Sequence, residues 1–264
     1  MKLIVCMKQV FDPEAPASAF KVDSEGKRVI PIKGTPPVLN PFDQNALEAG
    51  LRIKDTQNAE ITVISMGRNL STALLRKSLA AGADRLILLE DDAFQDLDSY
   101  SAAYVLAKAI NKIGNYDLIL CGREAADTDS GQVGSGIAEI LGIPSITVVR
   151  KLEVSNRKMR VQRVVSDGYE VVETTMPALV TASSEIGELR TATLKAIMAA
   201  QKKEVIVWNA GELGIDACQM GRRTNLLSLF PPVRRESNCQ IVDGETPEEA
   251  GAKLALRLRA AGLV

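Results

Sequence analysis

Strand-length apolar runs recur through the first half of the chain, each followed by a segment of helix length. "KLIVCM" (2–7), "EITVISM" (60–66), "RLILLE" (85–90) and "YDLILCG" (116–122) are apolar at consecutive positions rather than alternate ones. A strand of that kind is buried on both faces, which happens when helices cover both sides of a sheet. The intervening segments carry helical spacing. "ALEAGLRIKD" (46–55) places Leu47 and Leu51 one turn apart, and "NLSTALLRKSLAAGAD" (69–84) groups Leu70, Leu74, Leu75 and Leu79 before a stop at Gly82. "SYSAAYVLAKAINKIG" (99–114) ends at Gly114, and "SGQVGSGIAEILGIP" (130–144) groups Val133, Ile137, Ile140 and Leu141. The pattern predicts an α/β fold with a doubly wound, mostly parallel sheet.

Two regions break the rhythm. Residues 12–40 hold five prolines and a hairpin-like "FKVDSEGKRVIPI". Residues 151–181 alternate apolar and polar positions, with turn signals at Ser155-Asn156 and Asp167-Gly168, and predict an antiparallel meander at one sheet edge. After residue 205 the pattern is weak until a final helix in 246–263, with Thr246 as N-cap and Pro247 at its first position. A tail of that kind reads as a C-terminal arm laid on another surface rather than a second domain, or as a segment packed on its own domain; the pattern leaves both open.

What the chain lacks narrows its chemistry. Of its 264 residues none is histidine, which removes His-based triads and the usual neutral-pH general base. The four cysteines, Cys6, Cys121, Cys218 and Cys239, have no metal-binding spacing, and Cys6 and Cys121 read as buried strand residues. A formal net charge of −1 argues against nucleic-acid binding. No apolar run approaches the roughly 18–20 residues of a membrane span, and the N-terminus turns polar too soon for a signal peptide. A cytoplasmic chain is the expectation. Redox or group-transfer work would then fall to a bound cofactor.

In open α/β sheets ligands gather beyond the carboxyl ends of the strands, where strand order reverses. The richest of the strand-end segments here is "GREAADTDSGQVG" (122–134). Asp129 as N-cap would put Gln132 at the third helical position, a capping box. Gly131, Gly134 and Gly136 each cost about 1 kcal/mol of helix propensity. Either those glycines let a phosphate approach a helix start, or they let the helix pack on a neighbour; the pattern leaves both open. Asp127 reads as a cap or a ribose ligand. The loop is neither GxGxxG nor GxxxxGK[ST]. "LNPFDQNALEAGL" (39–51) starts another helix at Asn40-Pro41, and Asp43 in its first turn has plain capping as its simplest role.

Taken together, "VCMKQVFD" (5–12), "NPFDQNALEAGLRIKD" (40–55), "VISMG" (63–67), "AAGADRLILL" (80–89), "DLILCGREAADTDSGQVGSGIAEILGIP" (117–144), "MPALVTA" (176–182) and "LRTATLKAIMAAQKKEV" (189–205) resemble the small, or beta, subunit of electron-transfer flavoproteins, including the FixA-like proteins. The resemblance spans nearly the whole chain. It implies a nucleotide-binding core at 1–182, a partner-recognition loop at 183–205, and an arm at 206–264 that embraces an alpha subunit. The implied nucleotide contacts are Cys6, Asn40, Pro41, Phe42, Asp43, Met66 and Gly67. They continue with Gly122, Arg123, Glu124, Ala125, Ala126, Asp127, Thr128, Asp129, Ser130, Gly131, Gln132 and Val133.

Family members hold either AMP or, in electron-bifurcating types, FAD reduced by NADH. The segment 91–110, with Ala93, Phe94, Asp98 and Ser99, resembles the bifurcating group and leans toward FAD. The implied partners are the alpha subunit, a flavin dehydrogenase of acyl-CoA type docking through Leu194, and ferredoxin or flavodoxin as low-potential acceptor. The chain departs from the family at Thr128, usually Gly; at Ser130, usually Thr; at Arg68, usually Pro; and at Thr191, usually aromatic. Arg68 and Arg123 add cations near the implied site.

Overall fold

The computed structural model describes residues 1–32, 34–216, 220–231 and 239–264. They form two compact units, Met1–Leu229 and Phe230–Val264. The first unit begins with β1 (Lys2–Cys6), β2 (Gln9–Val10), β3 (Phe20–Val22), β4 (Val29–Pro31) and β5 (Val38–Leu39). It continues through α1 (Pro41–Thr56), β6 (Glu60–Gly67), α2 (Thr72–Ala81), β7 (Arg85–Glu90), α3 (Ser99–Ile113), β8 (Leu118–Gly122) and α4 (Val133–Leu141). Then come β9 (Ser145–Ser155), β10 (Lys158–Val165), β11 (Gly168–Thr175), β12 (Ala178–Ala182), α5 (Leu194–Lys202) and β13 (Val205–Trp208). The second unit contains α6 (Pro247–Ala260), capped by the Thr246 hydroxyl accepting the Glu249 N–H.

Among the described residues nine strands form one sheet in the order β11-β10-β9-β12-β8-β1-β6-β7-β13. From β1 the chain builds outward through β6, β7 and β13 on one side, and through β8 and β12 on the other. The switch point therefore lies between β1 and β8, which pair in parallel as Leu3↔Leu118, Ile4↔Ile119 and Val5↔Leu120. Alternate residues of these strands feed two apolar layers. Val5, Val63 and Leu120 pack with Leu47 and Leu51 of α1 and Leu75 and Leu79 of α2. Ile4, Ile64 and Ile119 pack with Val105 and Ile110 of α3 and Ile137 of α4. Each fully buried aliphatic side chain contributes about 1.5–3 kcal/mol, so the central strands are the most strongly held part of the fold.

The edge meander forms as the alternation predicts: β9, β10 and β11 pair antiparallel. The expectation that the alternating region runs on to residue 181 needs correction. β12 leaves the meander and inserts between β8 and β9, parallel to both. All five of its residues are buried, as a central parallel strand requires. The hairpin in 20–32 forms as β3 and β4. Residues 205–208, which carry no clear pattern, form β13 and extend the sheet beside β7. Among the described residues no helix is long and apolar enough to cross a membrane.

Candidate functional site

A cleft of about 680 Å³ opens beyond the carboxyl ends of β1, β6 and β8. Cys6 and Lys8 come from the exit of β1, Met66 and Gly67 from β6, and Cys121 and Gly122 from β8. Phe94, Asp98 and Ser99 form the wall that follows β7, and Thr224 closes it from the later chain.

Asp43 braces the cleft floor. One carboxylate oxygen accepts the Lys8 N–H at 2.7 Å and the other accepts the Gly122 N–H at 3.0 Å. The carboxylate thus ties the exits of β1 and β8 together, which is more than the helix capping that its position in α1 predicts. Burial raises its carboxyl to about 7, against these hydrogen bonds, which favour the charged form. An added Cβ at Gly122 would lie 2.5 Å from the Asp43 carboxylate and 2.6 Å from the Phe42 backbone, so only glycine permits this approach.

Asn40 stands at the N-cap of α1 but makes no side-chain cap. Its amide reaches the loop instead, donating to Glu124 O at 2.8 Å and accepting from the Ala126 N–H at 3.1 Å. Lys8 Nζ pairs with Asp127 at 2.7 Å, so that acid neither caps a helix nor stands free. Arg123 stacks 4.5 Å from the Phe42 ring and pairs with Glu124 at 2.7 Å. Arg68 pairs with Asp92 at 2.7 Å and donates to Gln95. Among the described residues, the three cations on the cleft lining are thus each matched by a protein carboxylate.

The expected capping box does not form. Asp129 adopts φ 48° and α4 begins four residues later, at Val133. Thr128 and Asp129 both donate to Ala125 O, closing a turn ahead of the helix. Gln132 is the N-cap residue and makes no side-chain cap, so the helix start faces the cleft with its first-turn N–H groups available to an anion. The glycines divide the two roles left open by the pattern. Added Cβ atoms at Gly134 and Gly136 would meet Thr181 at 2.7 Å and Ala103 at 2.9 Å, so these two allow packing. Gly131 sits at φ 62° on the cleft lining and serves the loop's turn.

Of the residues implied by resemblance, Cys6, Asn40, Asp43, Met66, Gly67, Gly122, Arg123, Glu124 and Ala125 line the cleft, as do Asp127, Thr128, Ser130, Gly131, Gln132 and Val133. Pro41, Phe42, Ala126 and Asp129 do not. Pro41 opens α1, Phe42 supports Arg123, and Ala126 is bound to Asn40. Residues that the sequence reading did not single out include Lys8, Leu97 and Thr224. Asp98 draws Thr224 in: its carboxylate accepts the Ser101, Arg223 and Thr224 N–H groups. Against burial, which alone would raise it, those donors hold Asp98 well below the usual carboxylate range. Ser99 Oγ reaches Ser130 Oγ at 3.3 Å, joining this wall to the glycine loop.

A cleft at the switch point of a doubly wound sheet, with an uncapped helix start on its lining, defines the class of α/β proteins that hold ligands at strand ends. The electron transfer flavoprotein domain matches residues 29–213. The electron transfer flavoprotein subunit beta of Thermoanaerobacterium thermosaccharolyticum is 42% identical over 84% of this chain and 83% of its own. The caffeyl-CoA reductase-Etf complex subunit CarD of Acetobacterium woodii is 36% identical over 98% of both chains. Protein FixA of Azorhizobium caulinodans is 34% identical over 97% of this chain and 93% of its own. The chain belongs to the electron transfer flavoprotein family, in its beta-subunit, FixA-like group.

Proposed function

We propose that this chain pairs with an electron-transfer flavoprotein alpha subunit and holds FAD in the switch-point cleft as the bifurcating centre. When bound, the flavin supplies hydride acceptance from NADH and onward transfer to ferredoxin or flavodoxin and to the alpha-subunit FAD. The observation that carries this reading is the extent of the cleft. The 122–133 loop and the α4 start offer enough for an adenosine phosphate. The cleft continues past them to Met66, Arg68, Phe94 and Leu97, a further wall with apolar and cationic groups. In this reading the α4 N–H groups take phosphate, Asn40 and Asp43 keep the loops in place, and Asp127 exchanges Lys8 for ribose hydroxyls. The likeness to a subunit of a reductase complex supports a dehydrogenase partner.

The same reading gives α5 the docking role. Leu194, Ile197 and Met198 lie on one face and are 74%, 42% and 62% exposed, an apolar strip at helical spacing. An acyl-CoA dehydrogenase seated there would receive electrons from the alpha-subunit flavin. Leu194→Ala is expected to leave folding intact and to slow electron delivery to that partner.

Flavin and nucleotide counts on the purified heterodimer test the cofactor. Two FAD per heterodimer support the proposal. One FAD with one AMP replaces it with the structural-nucleotide reading, in which redox chemistry belongs to the alpha subunit alone.

A further inference from the structure

We infer that Cys6 and Cys121 form a redox-active dithiol on the cleft floor, which a small hydroperoxide entering the cleft converts to a disulfide. The two residues close β1 and approach the end of β8, one step beyond the Val5↔Leu120 pair. Parallel register continued by one residue sets them side by side. Neighbouring strands lie about 4.8 Å apart, within the Cα separation of about 4.4–6.8 Å that a disulfide spans. Their side chains share a face, since both belong to the layer that contains Ile4 and Ile119. The thiols are free, and the neighbouring Cys6 sulfur together with burial pushes the Cys121 thiol up.

Access gives the pair its specificity. Cys6 and Cys121 are 8% and 6% exposed, and both line the cleft. At that exposure the sulfurs lie out of reach of a bulky oxidant, whereas hydrogen peroxide is small enough to touch them. Cys6 sulfur attacks the peroxide, and its thiol proton leaves with the departing hydroxide. The peroxide O–O bond breaks, Cys6 becomes a sulfenic acid, and one water leaves. Cys121 sulfur then displaces the sulfenic oxygen, forming the S–S bond, and its proton joins the departing hydroxide as a second water. The two thiols lose two electrons and one peroxide is reduced to two waters. A nucleotide lying over the floor shields both sulfurs, so the chemistry belongs to the depleted cleft. It does not depend on which nucleotide the cleft holds.

The test uses the heterodimer, as purified and after nucleotide depletion. Each sample is treated with hydrogen peroxide, denatured, alkylated and mapped by mass spectrometry. The expected result is a dithiothreitol-reducible link between the Cys6 and Cys121 peptides, forming at least tenfold faster in the depleted sample. In Cys121→Ser, Cys6 is expected to accumulate as a sulfenic acid that dimedone traps. The inference is overturned if both thiols remain alkylatable in the depleted sample, if either links to another cysteine instead, or if depletion leaves the rate unchanged. Flavin content is read separately, so failure of the two-FAD reading leaves this result standing.

Discussion

Arg190 brackets the Glu48 carboxylate with two parallel hydrogen bonds, Nε to Oε2 and Nη2 to Oε1, each 3.0 Å long. The same guanidinium reaches Asp55 at 2.7 Å. Beside it, Arg52 donates to Ile186 O and Asn45 to Gly187 O. One face of α1 therefore holds the segment that leads to α5. Glu48 is 5% exposed, and Arg190→Met leaves its charge without its main partner. The expected loss is about 2–3 kcal/mol, read as a lower urea midpoint with unchanged slope. Against burial, Arg190 holds the Glu48 carboxyl below its ordinary 4.5, so the unfolded chain binds this proton more readily. The stabilisation is present above about pH 4.5 and is lost as the pH falls below it; Arg190→Met removes that dependence.

Asp43 predicts the opposite slope. Burial raises its folded value to about 7 from an ordinary 3.8, so the folded chain binds the proton more tightly than the unfolded one. Its contribution to stability is intact below about pH 4 and declines as the pH rises toward 7. Asp43→Asn is expected to flatten stability between pH 4 and 7. One of the two N–H donors, Lys8 or Gly122, then faces an amide NH₂, which costs about 1–2 kcal/mol. Denaturation midpoints across that pH range, for wild type and variant, check both effects.

Asn40 is expected to matter to the loop more than to its helix. Asn40→Ala removes both bonds to residues 124 and 126, while α1 keeps Pro41 at its start. Faster amide hydrogen exchange over 122–129 is the expected signature, and under the proposed function adenine-nucleotide affinity falls about tenfold, or 1.4 kcal/mol. Unchanged exchange in that loop would sink the assignment.

Gly134 and Gly142 separate crowding from backbone strain within one helix. Alanine at 134 gains about 1 kcal/mol of helix propensity. It also sets a Cβ 2.7 Å from the Thr181 methyl, an overpacking that costs about 1–3 kcal/mol. Gly142 meets nothing within 4 Å, but its φ is 65°. Gly142→Ala is expected to cost about 1 kcal/mol through strain alone. Adding Thr181→Ser should rescue Gly134→Ala in thermal melts and leave Gly142→Ala unchanged.

The parts of the molecule legible in the sequence are those set by burial and by local turns. Consecutive apolar residues in β1, β7 and β8 encode a sheet covered on both faces, and Gly114 ends α3 at φ 63°. "ALVTA" carried the same signal for β12, hidden behind an alternating stretch. The candidate site was harder to read because its bonds are long-range. Asp129 and Gln132 have capping-box spacing, yet the turn onto Ala125 O places both before the helix. Asp127 finds Lys8 across 119 residues of chain, and Asp98 finds Thr224 across 126. No local spacing encodes such partners; they follow from which strand ends the sheet order brings together.

Helix α1 begins at the cleft, with Asn40 and Asp43 at its head, and grips residues 186–190 with Asn45, Glu48, Arg52 and Asp55. Its 16 residues form a rod about 24 Å long. Side-chain bonds at both ends of α1 tie it down, so the cleft floor and the segment ahead of Leu194 share a single support.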